Sequence, residues 1–201
     1  MLHEMLKDME LVLASASPRR QEIFKMLGLN PLIIPARVHE PIDERPPWLL
    51  VKSHASHKAH KITKLFNENA IIVAADTLVY VDKTVLGKPA NKADAEIYLS
   101  LLSGKSHFVY TGVSILWRNQ EITDYEKSVV KFKELTEQEI KAYIKTKEPM
   151  DKAGAYGIQG YGCQFISGIN GCYFNVMGFP VHLFYKMLKK LLGNNQMNIL
   201  S

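Results

Sequence analysis

The segment Ser15-Ala16-Ser17-Pro18-Arg19-Arg20 sets two hydroxyls and two guanidinium groups where a short apolar run gives way to a helical pattern. Exposed backbone N–H groups and the positive end of such a helix favour an anion, and arginine adds forked, charge-assisted hydrogen bonds to phosphate oxygens. The segment therefore has the makings of a phosphate cradle. The alternative is a capped surface helix with solvated arginines, although arginine in a first helical turn opposes the dipole. Asp76 is the second feature, because it interrupts the most apolar run of the chain, residues 70–81. An ionised carboxylate buried there carries a large desolvation cost unless it is paired or binds a metal. Either Thr77, Lys88 or another cation satisfies it, or it serves as a metal ligand or as a general base for water.

Lys58 follows Ala55 by three residues and precedes Ile62 by four in one helical pattern, so its stem borders the apolar face and its head either snorkels to solvent or enters a cleft. Lys88, in Leu86-Gly87-Lys88-Pro89, is a comparable candidate for a phosphate contact at a tight strand exit. The glycines 154, 157, 160 and 162 let a backbone approach a ligand closely, with Gln159 among them, or simply form a glycine-rich turn. A glutamine amide sets a donor beside an acceptor, which matches the imide edge of uracil or thymine. Three other patterns are rejected. Gly104-Lys105-Ser106 lacks the upstream glycine of a P-loop and follows a helix instead of preceding one; the glycine run lacks the G-x-G-x-x-G order; and His54, His57 and His60 recur every three residues with no acid between them, the mark of a solvated helix face and not of a zinc site.

These residues need elements to hold them. The pattern predicts a strand over 11–14, a helix from the Ser17 cap and Pro18 to Leu27 that Gly28 stops, and a proline-rich loop over 40–47. A helix over 48–66 turns Trp48, Val51, Ala55, Ala59, Ile62 and Leu65 or Phe66 inward, and 70–81 is a strand buried on both faces. After a turn at Lys83-Thr84, Asn91 opens a helix that ends before Gly104 and buries Ala95, Leu99 and Leu102. Runs 108–117 and 121–132, split by Arg118-Asn119-Gln120, form an antiparallel hairpin, and the capping box Thr136-Glu137-Gln138-Glu139 starts a helix that ends near Lys145. A final helix after Pro180 turns Val181, Phe184, Leu188 and Leu191 or Leu192 inward. Strands and helices interleave, and the hairpin excludes a purely parallel sheet, so the fold class is mixed α/β.

With 201 residues, 47% of them hydrophobic and 22% charged, the chain has the make-up of one folded domain and not of a collagen, coiled coil or disordered tail. The net charge of +5, from 25 basic and 20 acidic residues, favours polyanions or phosphorylated small molecules without choosing between them. Cys163 and Cys172 are too few for a disulfide scaffold or a four-cysteine zinc site and are expected to be reduced packing residues. Residues 1–10 lack the apolar core of a signal peptide and no run is long enough to span a membrane, so a soluble, cytoplasmic protein is expected.

Three segments together, L-A-S-A-S-P-R-R at 13–20, A-A-D-T at 74–77 and D-K-A-G-A-Y-G-I-Q-G at 151–160, resemble the Maf family of nucleoside triphosphate pyrophosphatases. The likeness extends to L-G-K-P at 86–89, L-S-G-K-S-H at 102–107, T-G-V at 111–113 and N-G-C-Y-F-N-V-M-G-F-P at 170–180, and so covers nearly the whole chain. It implies a Maf/ITPase-like fold, an elongated mixed β-sheet flanked by helices, with two lobes of one catalytic domain around a central cleft, in a homodimer. The implied activity is hydrolysis of a nucleoside triphosphate between the α- and β-phosphates with a divalent cation, Mg²⁺ or Mn²⁺.

By the same resemblance the proton acceptor falls on Asp76, substrate contacts on Ser17, Arg20, Glu40, Lys58 and Lys88, specificity positions on Arg19, Thr77 and Gln159, and metal ligands on Asp76 and Glu40. Many members carry an aspartate before the glutamate that falls on Glu40, where this chain has His39, so its metal site is one carboxylate poorer. The branch resembled acts on dTTP, UTP and modified pyrimidine triphosphates; a sister branch acts on 7-methyl-GTP and typically has an acid at the place of Gln159. Two other classes are a nucleotide-binding or nucleic-acid-binding regulator of cell division and a nucleotide sensor without turnover. The first is disfavoured because Asp76 and Glu40 near the cradle would repel a polyanion.

Overall fold

The structure, a computed structural model, describes residues 1–118 and 120–198. In chain order it comprises α1 (Leu2–Met5), β1 (Leu11–Leu13), α2 (Pro18–Met26), β2 (Leu32–Ile33), α3 (Pro47–Thr63), β3 (Ile71–Val81) and β4 (Thr84–Leu86). These are followed by α4 (Lys92–Leu102), β5 (Ser106–Trp117), β6 (Gln120–Phe132), α5 (Glu137–Lys145), β7 (Ile166–Asn170), α6 (Tyr173–Met177) and α7 (Val181–Asn198). Three 3-10 turns, Glu148–Asp151, Ala153–Ala155 and Gly160–Phe165, occupy the glycine-rich stretch. The seven strands form one open mixed sheet in the order β2-β1-β3-β5-β6-β7, with β4 also paired to β3. β1 runs parallel to β2 and β3, and the remaining pairs are antiparallel.

Alternation along the strands divides the core. On one face, Leu13, Val73, Ala75, Val113 and Ile115 pack against α1, α2 and α7, while further along the same face Val79, Val109, Val130 and Phe132 pack against α4 and α5. Between these two clusters the face turns polar, where Thr77 and Thr111 are paired across β3 and β5 with their hydroxyl oxygens 2.9 Å apart. α3 covers the opposite face, against Val12, Ala14, Ile72 and Ala74 at one end and Leu78 and Tyr110 at the other. Asp76 alternates onto this second face, under α3.

The expected long elements are present, and Asn91 and Thr136 cap α4 and α5 through their side chains as anticipated. Several details differ. Ser17 stands at the N-cap of α2, but its hydroxyl makes no capping bond; its own N–H donates to Ser15 Oγ at 3.2 Å. α3 begins at Pro47 and ends at Thr63, Trp48 and Leu65 are exposed, and Leu50 takes the buried place. The turn between β3 and β4 falls on Asp82-Lys83, both with positive φ, and Thr84 already belongs to the strand. Cys163 is exposed and so is no packing residue. β2, β7, α1 and α6 are too short to leave a period in the sequence. Asn119 of the expected hairpin turn lies outside the described residues, and no described helix is long and apolar enough to cross a membrane.

His107 sits fully buried on β5, its ring 2.7 Å from the Tyr156 hydroxyl and packed edge-on against Phe132. Burial lowers its pKa to about 4. In the unfolded chain the ring titrates near its ordinary value, so between the two values the unfolded state binds the extra proton and acid favours unfolding. Unfolding by urea at pH 7 and pH 5 is expected to show a loss of stability of about 2 kcal/mol from this group. His107→Gln, which cannot titrate, should lose correspondingly less over the same interval.

Candidate active site

The site arises from a gap in strand pairing. β1 covers one edge of β3 over Ile71–Val73 and β4 covers it over Val79–Val81, so the intervening stretch around Asp76 has no strand on that side. A crevice at the carboxyl end of a parallel strand is where open α/β sheets bind ligands. A cavity of about 680 Å³ lies there, within the size range of small-molecule sites. Its wall includes Ser15, Ser17, Arg19, Arg20, Arg37, Glu40, His54, Lys58, Asp76, Thr77, Lys88 and Lys152.

Asp76 is the centre of the cluster. The residue is 6% exposed, and α3 supplies a donor to each carboxylate oxygen. Lys58 Nζ donates to Oδ1 at 2.8 Å, and His54 Nδ1 donates to Oδ2 at 3.0 Å. The two donors are four residues apart and so share one face of the helix. Lys58 also pairs with Glu40 and donates to the Ala75 carbonyl at 3.3 Å, on the open edge of β3. Burial by itself would raise the Asp76 pKa; the charge of Lys58, the hydrogen bonds from His54 and Lys58 and the charge of Arg20 outweigh it and hold the carboxyl well below the usual carboxylate range. The ring of His54 donates through Nε2 to the Pro41 carbonyl at 3.1 Å. Burial opposes a charge on this ring, but Asp76, Glu40 and the Pro41 carbonyl prevail and its pKa stands above the ordinary value.

Of the sequence alternatives for Asp76, the pairing cation is Lys58. Thr77 faces the other side of the sheet, and Lys88 is an exposed cavity residue without a bond to the carboxylate. His54 is a correction: it is buried, whereas His57 and His60 are exposed as expected. The sequence carried a usable signal in the four-residue interval from His54 to Lys58, one helical turn, which a search for three-residue histidine spacing passes over.

The cradle at the start of α2 is held by Arg20, which is buried and not solvated. Its Nε donates to the Gly178 carbonyl at 2.8 Å, Nη1 to Ser15 Oγ at 3.0 Å and Nη2 to Thr77 Oγ1 at 3.1 Å, so one guanidinium ties α2 to the segment that follows β1, to β3 and to the turn after α6. Burial lowers its pKa and the charge of Asp76 opposes that, leaving an arginine that is still charged at neutral pH. Arg19 reaches across the cavity to Asp151 at 3.3 Å. Lys152 Nζ donates to Asp151 Oδ1 and to the Glu148 carbonyl, both at 2.7 Å. Arg37 and Lys152 also line the cavity and were not singled out from the sequence, one lying in an irregular loop and the other inside the glycine-rich stretch. Gln159 is half-buried at the N-cap of the Gly160–Phe165 turn; its neighbours Gly157 and Ile158 line the cavity and Gln159 itself does not.

No group of three or more His, Cys, Asp or Glu side chains able to hold a metal ion is present among the described residues. His39 is exposed and outside the cavity wall, so it does not replace the missing acid. Yet Asp76 and Glu40 already converge on one cation, the Lys58 ammonium. Mg²⁺ bound largely by phosphates and water needs only one or two carboxylates, so the donor set fits it.

The fold and site define an α/β protein whose sheet edge opens into a cationic cleft around a buried carboxylate. The profile of the family described as Maf-like protein matches residues 10–191, and the chain belongs to that Maf family. A dTTP/UTP pyrophosphatase of Bacillus anthracis is 45% identical over 182 residues, covering 90% of this chain and 95% of the relative. One from Bacillus cereus is 44% identical over the same share of each. One from Caldicellulosiruptor saccharolyticus is 43% identical over 188 residues, 90% of this chain and 94% of the relative.

The position of Lys58 and His54 depends on how closely α3 lies on the sheet. Gly112 is the cross-strand partner of Asp76, and a Cβ there would overlap the backbone of Val51 and Lys52. A rotamer change cannot relieve such an overlap, so Gly112→Ala should destabilise the fold by about 2 kcal/mol or more in urea unfolding. Gly168→Ala, where a Cβ meets open space, should stay within about 0.5 kcal/mol of the parent.

Proposed function

We propose that this chain hydrolyses nucleoside triphosphates between the α- and β-phosphates, releasing a nucleoside monophosphate and pyrophosphate, with dTTP and UTP as its preferred substrates. The observation that carries this reading is the ionised, buried Asp76 on the open edge of β3, facing a cleft lined by Arg19, Arg37, Lys58, Lys88 and Lys152. The names of the relatives support the substrate class.

Asp76 accepts the proton of the water that attacks the α-phosphorus. At rest the Lys58 ammonium keeps this carboxylate a weak base. Moving that ammonium toward phosphate oxygens raises the basicity of Asp76 when substrate is in place. Ser17 and the N-terminus of α2 receive phosphate oxygens, and Arg19 and Lys88 neutralise the charge that grows on the departing pyrophosphate. Arg20 keeps Ser15 and Thr77 in register while adding its charge to the cleft floor. A divalent cation, Mg²⁺ or Mn²⁺, bound by Asp76 and Glu40 would supply polarisation of the phosphoryl group and charge neutralisation. Positioning and electrostatics account for most of such catalysis.

In this reading Gln159, next to the cavity residue Ile158 but outside the cavity wall, is the position that the family resemblance offers for the pyrimidine imide edge. Thr77 and Arg19 border the same cleft. A cytoplasmic homodimer belongs to the same proposal and rests on the family resemblance.

The test is a panel of triphosphates with Mg²⁺, scored for monophosphate plus pyrophosphate against diphosphate plus phosphate. dTTP and UTP are expected to be turned over fastest, yielding pyrophosphate. Asp76→Asn, with its folding checked by circular dichroism, should lose turnover by at least about 100-fold. Faster hydrolysis of 7-methyl-GTP would overturn the pyrimidine preference, and near-normal turnover by a folded Asp76→Asn protein would overturn the role of Asp76.

A further inference from the structure

His54 occupies a place that the proposed chemistry does not use. Its ring is 4% exposed, and both nitrogens are spent on acceptors: Nδ1 on Asp76 Oδ2 and Nε2 on the Pro41 carbonyl. A carboxylate oxygen and a carbonyl oxygen offer no proton, so each ring nitrogen is the donor in its bond. A ring so engaged has no nitrogen left with which to pass a proton to a bound ligand. It can, however, set the position of both partners.

Those partners belong to different parts of the site. Asp76 is on β3, whereas Pro41 adjoins Glu40 in the irregular segment 34–46 between β2 and α3. That segment has no strand or helix of its own to fix it, and it contributes Arg37 and Glu40 to the cavity wall. Lys58, one turn along α3, makes the companion link, joining Asp76 Oδ1 to Glu40. Among the described residues, the hydrogen bond on Asp76 Oδ2 comes from His54. With Lys58 alone, the carboxylate could turn about its side-chain bonds and the segment could swing about the Glu40 contact. Two donors on one rigid helix face remove both freedoms.

We propose that His54 is a positioning residue that aims the Asp76 carboxylate through one ring nitrogen and anchors the Glu40-bearing segment through the other. The inference rests on the hydrolase reading above. It assigns His54 two separable effects, on the chemical step through Asp76 and on substrate binding through the segment.

Three variants separate them. His54→Asn places an amide nitrogen where Nδ1 stood and gives up the Pro41 bond; His54→Gln places one where Nε2 stood and gives up the Asp76 bond; His54→Leu gives up both in a side chain suited to a buried position. kcat and KM for dTTP, with thermal unfolding of each protein, are the readouts. His54→Leu should lose kcat by roughly 10- to 100-fold, the range for residues that orient a reacting group, without a matching loss of thermal stability. His54→Asn should recover most of kcat but keep a KM raised about threefold or more, the signature of lost binding with intact chemistry. His54→Gln should show the reverse, a near-parental KM with low kcat. An active parent whose His54→Leu variant keeps its kcat, or variants whose activities fall together in step with their unfolding temperatures, would overturn the inference and leave the hydrolase reading standing. A parent that hydrolyses no triphosphate would overturn the hydrolase reading and this inference with it.

Discussion

An ionised carboxylate set in the middle of an apolar strand is unstable unless the fold brings it compensating charge, and much of this structure follows from that requirement at Asp76. The compensation comes from α3, which must therefore lie very close to the sheet. Gly112 opposite Asp76 permits the approach, and the small Ala55 and Ala59 allow the helix to seat on the strands. Farther along α3, Glu121 on β6 is partly buried, which raises its pKa, but hydrogen bonds from Ser56, His60, Thr123 and Ser114 outweigh this and lower it to about 2. That second carboxylate fastens the end of the helix to the hairpin. Lys58 and His54 are thus delivered to Asp76 by a helix fixed at several points.

The same requirement explains why the sheet edge stays open. A strand paired to β3 beside Asp76 would occupy the volume into which Lys58 reaches for the Ala75 carbonyl and the carboxylate. β1 stops short and β4 begins farther along, so the gap becomes a cavity with a carboxylate in its floor and cations in its walls. The cavity gathers part of the chain's basic complement. Arg19, Arg20, Arg37, Lys58, Lys88 and Lys152 converge on one small-molecule-sized space.

The longer elements were legible in the sequence: β3 from its unbroken apolar run, the β5–β6 hairpin from two β-rich runs split by a short polar turn, α4 and α5 from their caps. Short β2, β7, α1 and α6 leave no period, since tertiary packing decides them. At the site, Asp76 stood out because its cost is local and visible in one dimension. The roles of Arg20 and His54 did not, because both depend on partners distant in sequence, Gly178 for the arginine and Asp76 and Pro41 for the histidine. A histidine beside two others on a helix looks solvated until the strand beneath it is known to carry a carboxylate.

In the proposed reaction, water held at the Asp76 cleft attacks the α-phosphorus. Hydrolysis of dTTP in ¹⁸O-labelled water, with mass analysis of both products, tests it most directly. Attack at the α-phosphorus leaves a single ¹⁸O in the nucleoside monophosphate and none in the pyrophosphate. Label in the pyrophosphate, or release of labelled orthophosphate, would place the attack on another phosphorus and contradict it.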